Sequence, residues 1–209
     1  MSVFRAINVS ISIKDKSLFQ NLSFEVKPGE VLAVMGASGS GKSSLLSYIV
    51  GSLAPTIQAS GELYLEDKRI DLLEISKRKV GILYQDDLLF PHFSVGENLL
   101  FGMKEPRERL ARKLIIEKSL KDAGLVNFFD RMPSTLSGGQ RSRVSVLRAV
   151  LSNPELILLD EPFSKLDKSL RVNFRDLVFM EMKQRAIPCI IVTHDVEDVP
   201  VDSHKVLIE

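Results

Sequence analysis

The stretch Gly36-Ala37-Ser38-Gly39-Ser40-Gly41-Lys42-Ser43 decides how the rest of this sequence is interpreted. It has the spacing G-x-x-x-x-G-K-[ST], typical of a loop whose backbone N–H groups surround phosphate oxygens. An apolar run at residues 31–35 precedes it and predicts a buried strand. Apolar residues at helical spacing follow it, up to a natural C-cap at Gly51. The loop is therefore expected to join a strand to the positive N-terminal end of a helix, where an anion is stabilised.

Each part of this loop has an expected role. The glycines let the backbone approach a phosphate without Cβ clashes. Lys42 is expected to reach the β- and γ-phosphates, and the Ser43 hydroxyl is expected to ligate Mg²⁺. The expected nucleotide contacts in the loop are Gly36, Ala37, Ser38, Gly39, Ser40, Gly41, Lys42, Ser43 and Ser44. Alternatively the stretch is a Gly/Ser-rich turn that happens to carry a lysine, but the flanking strand and helix patterns favour the phosphate loop.

The composition is that of an ordinary globular chain. Of its 209 residues 44% are hydrophobic and 26% are charged, with a formal net charge of +1. No basic stripe is present, so nucleic acid is not expected as a partner. The N-terminus lacks a signal-peptide pattern, and no apolar run approaches the roughly 18 residues of a membrane span. The single Cys189 cannot form an internal disulfide and fits a reducing compartment. We therefore expect a soluble cytoplasmic protein, with docking on a membrane protein left open.

Alternation of apolar and polar residues marks the N-terminal part. Residues 3–27 predict two strands joined by a polar turn at residues 14–16, and residues 61–70 predict another strand with a turn. Pro28-Gly29 predicts a tight turn before the phosphate loop. These segments are expected to form an antiparallel sheet beside a nucleotide-binding core.

A helical segment interrupts the strand pattern. Residues 80–84 predict a short buried strand that ends at Gln85, near the crevice where open α/β sheets bind ligands. Ser94 and Glu97 then form a capping box. Pro106 suits the first turn of a longer helix whose apolar spacing runs through Leu110, Leu114 and Leu120 and which ends at Gly124. We expect an α/β fold in which residues 86–153 are a helical subdomain and residues 1–85 and 154–209 are the core.

A second glycine pair is expected at a helix N-terminus. Ser137 and Gln140 form another capping box, so a helix should begin there and end at Asn153-Pro154. Gly138-Gly139 is then a second possible anion site. Taken alone, this segment is better interpreted as an ordinary capped helix.

Two further apolar strands end in polar residues. The run at residues 156–159 leads into Asp160 and Glu161. In a phosphate-loop fold the first such carboxylate holds Mg²⁺, and the second can polarise a water. The alternative is an acidic strand end that caps the next turn. The last core strand, at residues 189–193, follows a helix over 168–185 and ends at His194; residues 206–208 predict an edge strand. A lone histidine is more often structural, but its place beside the crevice favours function.

In this order, the phosphate loop, Gln85, Leu136-Ser137-Gly138-Gly139-Gln140, Asp160-Glu161 and His194 resemble the ATP-binding subunit of an ABC (ATP-binding cassette) transporter. The resemblance covers essentially the whole chain, and the pentapeptide L-S-G-G-Q is the family's own signature. It implies a P-loop NTPase core with an antiparallel β subdomain and an inserted α-helical subdomain. It also implies one ABC ATP-binding domain over residues 1–209 that uses ATP and Mg²⁺.

The resemblance implies a role for each matching residue. Lys42 and the loop amides would bind the phosphates, and Ser43, Gln85 and Asp160 would hold Mg²⁺. Glu161 would be the general base and His194 the γ-phosphate sensor.

The same resemblance implies a head-to-tail homodimer that encloses two ATP molecules. Asp167 matches the family's dimer-interface loop. The signature would act on the ATP of the partner subunit, whose γ-phosphate would be bound by the serine and the two glycines. The signature residues are Leu136, Ser137, Gly138, Gly139 and Gln140.

Two positions depart from the family pattern. The family usually stacks an aromatic residue on adenine, whereas spacing places Ile13 there, with Phe19 further along, so we expect an apolar contact from Ile13. In the dimer-interface loop, Lys165 occupies a position that is commonly small.

Residues 90–98 are similar to importer subunits, in which this region receives a coupling helix from a permease. The resemblance thus implies an ATP-hydrolysing motor for solute import, working with integral membrane permease subunits and a solute-binding protein at the cytoplasmic face of the inner (plasma) membrane. Only 15 residues follow His194, so no regulatory domain is expected there. The alternatives are an export motor, a soluble ABC ATPase acting on ribosomes or DNA, and an unrelated phosphate-loop kinase. The kinase would leave the signature and His194 unexplained.

Overall fold

The structure is a computed structural model that describes residues 3–14, 16–103, 108–201 and 203–208. The strands are β1 (Phe4–Ile13), β2 (Lys16–Val26), β3 (Val31–Gly36), β4 (Ile57–Leu65), β5 (Lys68–Arg69), β6 (Val80–Leu83), β7 (Leu156–Asp160), β8 (Cys189–Val192) and β9 (His204–Ile208). The α-helices are α1 (Lys42–Val50), α2 (Ile75–Arg78), α3 (Val95–Gly102), α4 (Arg109–Asp122), α5 (Gly138–Leu151) and α6 (Lys168–Gln184). The chain divides into two compact units.

The first unit comprises the described residues up to Ile82, Pro154–Glu161, and those from Met182 onward. One of its sheets is antiparallel in the order β2-β1-β4-β5, with Phe4 opposite both Val26 and Leu65. This confirms the predicted N-terminal strands. Strand β4 begins at Ile57, earlier than the expected start at residue 61. Its first residues alternate between partly buried and exposed, but the inward position 59 carries only the small side chain of Ala59, which weakens the apolar signal.

The other sheet has the order β6-β7-β8-β3-β9, and the pairs β3–β8, β3–β9 and β7–β8 are parallel. Strands β7 and β8 are continuous apolar runs because both of their faces are covered, which parallel sheets require. Val34 and Asp160 both pair with Val192, so β3, β7 and β8 end at the same edge. The predicted edge strand at 206–208 lies within β9. This topology gathers the ends of three strands beside the phosphate loop.

Helix α1 is held at its C-terminal end by a buried arginine. The Arg78 side chain is 6% exposed and donates hydrogen bonds to the carbonyls of Tyr48 and Ile49 at 2.8 and 3.0 Å. It also donates to the carbonyls of Leu73 and Asp71 at 2.9 and 2.6 Å. Burial lowers the pKa of Arg78 from its usual value. Cationic donors at the negative end of a helix stabilise it, so Arg78 fixes the helix that follows the phosphate loop.

The only cysteine of the chain, Cys189, lies fully buried at the start of β8. Burial raises the pKa of its thiol well above the usual range. It therefore behaves as a small core residue, as expected for a buried free cysteine.

The second unit comprises Leu83–Asn153 and Pro162–Glu181. Both predicted capping boxes are present, at Ser94 on α3 and at Ser137 on α5. The structural division assigns Pro162–Glu181 to this helical unit, whereas the sequence analysis placed that stretch in the core. The expected boundaries at residues 86 and 153 remain a prediction.

Helix α4 differs from its expected form. It begins at Arg109, whereas the expected start at Pro106 lies outside the described residues. Leu110 and Leu114 are 69% and 59% exposed, while Ile116 and Leu120 are buried. Its leucine spacing therefore does not mark its buried face. None of the helices in the described part of the chain could span a lipid bilayer.

Candidate nucleotide-binding site

The phosphate loop connects β3 to α1, as predicted. Gly36, Gly39 and Gly41 have φ values of +154°, +80° and +104°, which residues with side chains rarely adopt. A Cβ atom at Gly36 would lie 2.1 Å from the carbonyl oxygen of Ile208, so this position has no space for a side chain. Gly41 is the N-cap of α1, and no side chain caps the first N–H groups of the helix. Those donors are therefore suited to bind an anion.

Two side chains of this loop are arranged for an anionic ligand. Lys42 Nζ donates to the carbonyl oxygens of Gly36 and Ala37 at 2.8 and 2.7 Å, which holds its charge against the loop. The Ser40 hydroxyl is buried, and the described residues offer it no hydrogen-bond partner. A buried unpaired hydroxyl is costly unless a ligand oxygen accepts its proton, so Ser40 fits a phosphate in the loop.

A hydroxyl and a carboxylate meet beside the loop. Ser43 Oγ donates to Asp160 Oδ2 at 3.1 Å, which joins the first turn of α1 to the end of β7. Burial raises the pKa of Asp160, and the hydrogen bond from Ser43 opposes that rise. The pair offers hard oxygen donors, the ligand type that small divalent cations prefer.

The next residue forms a second polar pair. Glu161 has a positive φ of 48°, uncommon for a residue with a side chain, and its amide donates to the Val192 carbonyl at 2.9 Å. Its Oε1 lies 2.8 Å from His194 Nδ1. The Glu161 side chain is 14% exposed and that of His194 is 72% exposed. The strand ends thus bring a partly enclosed carboxylate against an imidazole that faces solvent.

The first β-hairpin also contributes to the loop. Leu18 and Phe19, on β2, lie so close to Gly41 that an added Cβ would be 3.1 and 3.2 Å from their side chains. Sequence analysis named Phe19 only in passing and missed Leu18, although an adjacent apolar pair that interrupts an alternating strand is a usable signal. Ile13 is 36% exposed at the end of β1, and its contact with a base remains a prediction.

In the helical unit, the signature residues form the N-terminus of α5. Ser137 Oγ accepts a hydrogen bond from the Gln140 amide, and Gln140 Oε1 accepts one from the Ser137 amide. The Leu136 carbonyl accepts a hydrogen bond from Arg141 at 2.7 Å. The amides of Gly138 and Gly139, in the first turn, are the donors available to a ligand.

Another cluster, which sequence analysis missed, follows Gln85 in the same unit. Asp87 Oδ2 accepts a hydrogen bond from Arg141 at 3.1 Å, and its Oδ1 accepts one from Lys165 at 3.3 Å. Lys165 also donates to the Gln85 carbonyl at 2.9 Å. The partners are 54 and 78 residues from Asp87 in sequence, so no local pattern indicates them. Lys165, which departs from the family pattern, thus has hydrogen-bond partners in Gln85 and Asp87. Asp167 is exposed and lies immediately before α6.

Proteins of similar sequence and fold indicate the family of this chain. The model of the family described as ABC transporter matches residues 19–164. The chain is 48% identical over 196 residues to an uncharacterized ABC transporter ATP-binding protein, YnjD, of Escherichia coli (strain K12), covering 94% of this chain and 90% of that protein. It is 37% identical over 195 residues to the Fe(3+) ions import ATP-binding protein FbpC of Fusobacterium nucleatum, covering 93% of this chain and 52% of FbpC.

Another relative and a solved structure extend the likeness. The thiamine import ATP-binding protein ThiQ of Haemophilus influenzae is 38% identical over 186 residues, covering 88% of this chain and 85% of ThiQ. The dimeric, post-hydrolysis structure of the ATP-binding cassette MJ0796, bound to ADP and Pi, has a TM-score of 0.78 and 28% identity. It covers 93% of this chain and 89% of that cassette.

The relatives differ in how much of their own length this chain spans. It spans about half of FbpC, as it does of several other import proteins, but most of YnjD and ThiQ. The family match covers well over half of this chain and contains both the phosphate loop and the signature. The resemblance drawn from the motifs is confirmed, and so is the P-loop NTPase fold. The chain belongs to the ABC transporter ATP-binding family, whose members bind and hydrolyse ATP to power transport.

Proposed function

We propose that this chain is the ATP-hydrolysing motor subunit of a solute import system. The observation that carries the proposal is the meeting of the Ser43–Asp160 and Glu161–His194 pairs at the sheet edge that holds the phosphate loop. ATP binding closes a homodimer, and hydrolysis reopens it. Several relatives are named as ATP-binding proteins for the import of Fe(3+) ions, spermidine/putrescine or thiamine, which supports import.

Phosphate binding falls to the loop and to the start of α1. The uncapped amides and Lys42 bind the phosphates, and Lys42 exchanges its bonds to the loop carbonyls for phosphate oxygens. Ser43 and Asp160 would hold Mg²⁺, together with Gln85. A Mg²⁺ ion there would neutralise phosphate charge, and Mg²⁺ typically takes one or two carboxylates plus phosphate oxygens.

Glu161 acts as the general base. Its carboxylate accepts a proton from the water that attacks the γ-phosphate, while His194 Nδ1 holds Oε1 in place at 2.8 Å. The exposed imidazole contacts the γ-phosphate through its other ring nitrogen, Nε2, and so acts as the sensor. General bases need this kind of fixed hydrogen-bonding geometry.

The signature acts on the ATP of a second copy. The Ser137 hydroxyl and the amides of Gly138 and Gly139 bind the γ-phosphate there, because a helix N-terminus stabilises negative charge. Leu136 and Gln140 set the cap geometry, and Asp167 lies in the dimer interface.

An exposed aromatic patch, Phe90, Phe93 and Phe101, supports docking on a permease. The rings contact one another with centroids 4.8 to 6.1 Å apart, yet the residues are 40%, 36% and 66% exposed. Apolar clusters left in solvent mark interaction surfaces. A coupling helix of an integral membrane permease is the proposed occupant, which makes this chain peripheral at the cytoplasmic face of the inner membrane. A solute-binding protein completes the system.

The test is a mild-detergent pull-down of the tagged Glu161→Gln chain with ATP and Mg²⁺. We expect turnover to be lost, an ATP-bound dimer to accumulate and a multi-span membrane protein to be recovered. Glu25→Gln, an exposed glutamate of β2, is the matched control and should keep turnover. Adding Phe101→Ser should remove the membrane protein without removing the dimer.

Three results would contradict this proposal. Full turnover in Glu161→Gln would exclude Glu161 as the base. Recovery of ribosomal proteins or nucleic acid in place of a membrane protein would move the chain to the soluble class. Outward movement in vesicles of known orientation would make it an export motor.

A further inference from the structure

We propose that Lys165 is a positioning residue that holds the segment Gln85–Asp87 against the start of α5 and thereby sets the affinity for ATP. This inference rests on the proposed function, because it assumes that Gln85 contacts the nucleotide site. It assigns a role to a side chain where the family pattern has a small residue.

The Lys165 side chain makes two hydrogen bonds to one short segment. Nζ donates to the main-chain carbonyl of Gln85 at 2.9 Å and to Asp87 Oδ1 at 3.3 Å. The first bond fixes the backbone of Gln85 itself, and the second fixes the residue two positions later. A residue with a small side chain at position 165 could make neither bond.

Asp87 is the centre of this cluster. Its side chain is 14% exposed and lies between two cations, since Arg141 donates to the other carboxylate oxygen at 3.1 Å. Its main-chain carbonyl accepts a hydrogen bond from Ser145 at 2.6 Å. Arg141 and Ser145 are four residues apart and share one face of α5. This face of α5 therefore binds both the main chain and the side chain of Asp87.

The backbone around Lys165 is also held to α5. A Cβ atom at Gly139 would lie 3.0 Å from the Lys165 carbonyl oxygen, so the second signature glycine packs directly on this backbone. Ser142 donates to the Pro162 carbonyl at 3.1 Å. Within the helical unit, α5 is therefore connected to the segment Gln85–Asp87 in two ways. Arg141 contacts Asp87 directly, and Gly139 packs on Lys165, whose side chain contacts Asp87.

Loss of the Lys165 side chain should release the segment Gln85–Asp87 from residue 165 without unfolding the helical unit. Lys165 is 36% exposed, and a partly exposed ion pair shifts an equilibrium by up to about fivefold. When only a fraction of molecules is competent to bind, the apparent Kd rises by the inverse of that fraction. Lys165→Met should therefore bind ATP more weakly, by at most about fivefold, while its midpoint of thermal unfolding stays close to that of the wild type.

The experiment uses the full chain and two readouts. One is the Kd for a fluorescent ATP analogue with Mg²⁺, and the other is hydrogen–deuterium exchange of amides at residues 85–90. Lys165→Met keeps the length of the side chain and removes its charge, and Lys165→Arg restores the charge. Lys168→Met is the matched control, since Lys168 is an exposed lysine three residues away for which the described part of the chain shows no side-chain bond.

We expect Lys165→Met to weaken binding and to accelerate exchange at residues 85–90, each by up to about fivefold, whereas Lys165→Arg and Lys168→Met resemble the wild type. Adding Asp87→Asn to Lys165→Met should cost less than the sum of the single changes. Unchanged exchange and affinity in Lys165→Met, or equal effects in Lys168→Met, would overturn the inference. A wild-type chain that does not bind ATP would refute the proposed function, while the exchange data still decide the role of Lys165.

Discussion

Replacing Gly36 by alanine places a methyl group where the structure has no space. The new Cβ would lie 2.1 Å from the carbonyl oxygen of Ile208 and 2.9 Å from Ser40 Oγ. Non-bonded heavy atoms prefer separations of about 3.5 Å, so the backbone must shift by about 1 Å. Ile208 belongs to β9, which is paired with β3 from Leu32 to Gly36. The strain therefore falls on the first turn of the phosphate loop.

The expected cost has two parts. A side chain at this positive φ costs about 1–3 kcal/mol. The overpacked contact with Ile208 costs about 1–3 kcal/mol more. Gly39→Ala is the matched control, because Gly39 also has a positive φ, of 80°, but its added Cβ meets no atom within 4 Å. The two variants should therefore differ by about 1–3 kcal/mol, the cost of the contact alone.

The assay is urea unfolding of the full chain without nucleotide, which gives the free energy of unfolding of each variant. Gly36→Ala should lose more free energy than Gly39→Ala, with unchanged dependence on urea concentration. ATP affinity of Gly36→Ala should fall as well, because relief of the clash displaces the loop. If the two variants are equally stable, the close approach of Gly36 to Ile208 does not limit this position, and the steric argument is wrong.

Two further predictions concern buried charge. Because burial raises the pKa of Asp160, the carboxyl group stays protonated to a higher pH in the folded chain than in the unfolded chain. Its ionisation therefore lowers the free energy of unfolding as the pH rises above 3.8, the ordinary pKa of an aspartate. Asp160→Asn should therefore raise the thermal midpoint at pH 7 without nucleotide, with the difference vanishing on acidification, and a lower midpoint at pH 7 would contradict this. Arg78→Met should cost about 3 kcal/mol or more in urea unfolding, since it leaves four carbonyls without their buried donor and an unsatisfied buried acceptor costs about 1–3 kcal/mol. Arg78→Lys should recover only part of that loss, and a near-neutral Arg78→Met would exclude the proposed role at the end of α1.

Local patterns explain what the sequence could predict. The phosphate loop and the capping boxes at Ser94 and Ser137 depend on residues within one turn or loop, so their spacing alone indicates them. The buried strands β7 and β8 are short apolar runs that end in polar residues. Parallel pairing then brings Asp160 and His194 to the same edge.

What the sequence could not predict depends on distant partners. Lys165 and Asp87 are 78 residues apart, and Arg78 reaches α1 carbonyls about 30 residues earlier in the chain, with no periodicity to connect them. The buried face of α4 is set by what packs against it, so Leu110 and Leu114 point to solvent in spite of their spacing. Tertiary contacts decide these positions, and propensity does not.

The buried Cys189 makes this chain convenient for spectroscopy. Only the thiolate reacts with maleimide and methanethiosulfonate labels, and burial keeps this thiol protonated and out of reach. A cysteine introduced at an exposed position, such as Leu170 on α6, would then be the one site labelled in the folded chain. Spin or fluorophore pairs in two copies would report association and separation as ATP is added and consumed, with the natural cysteine left in place.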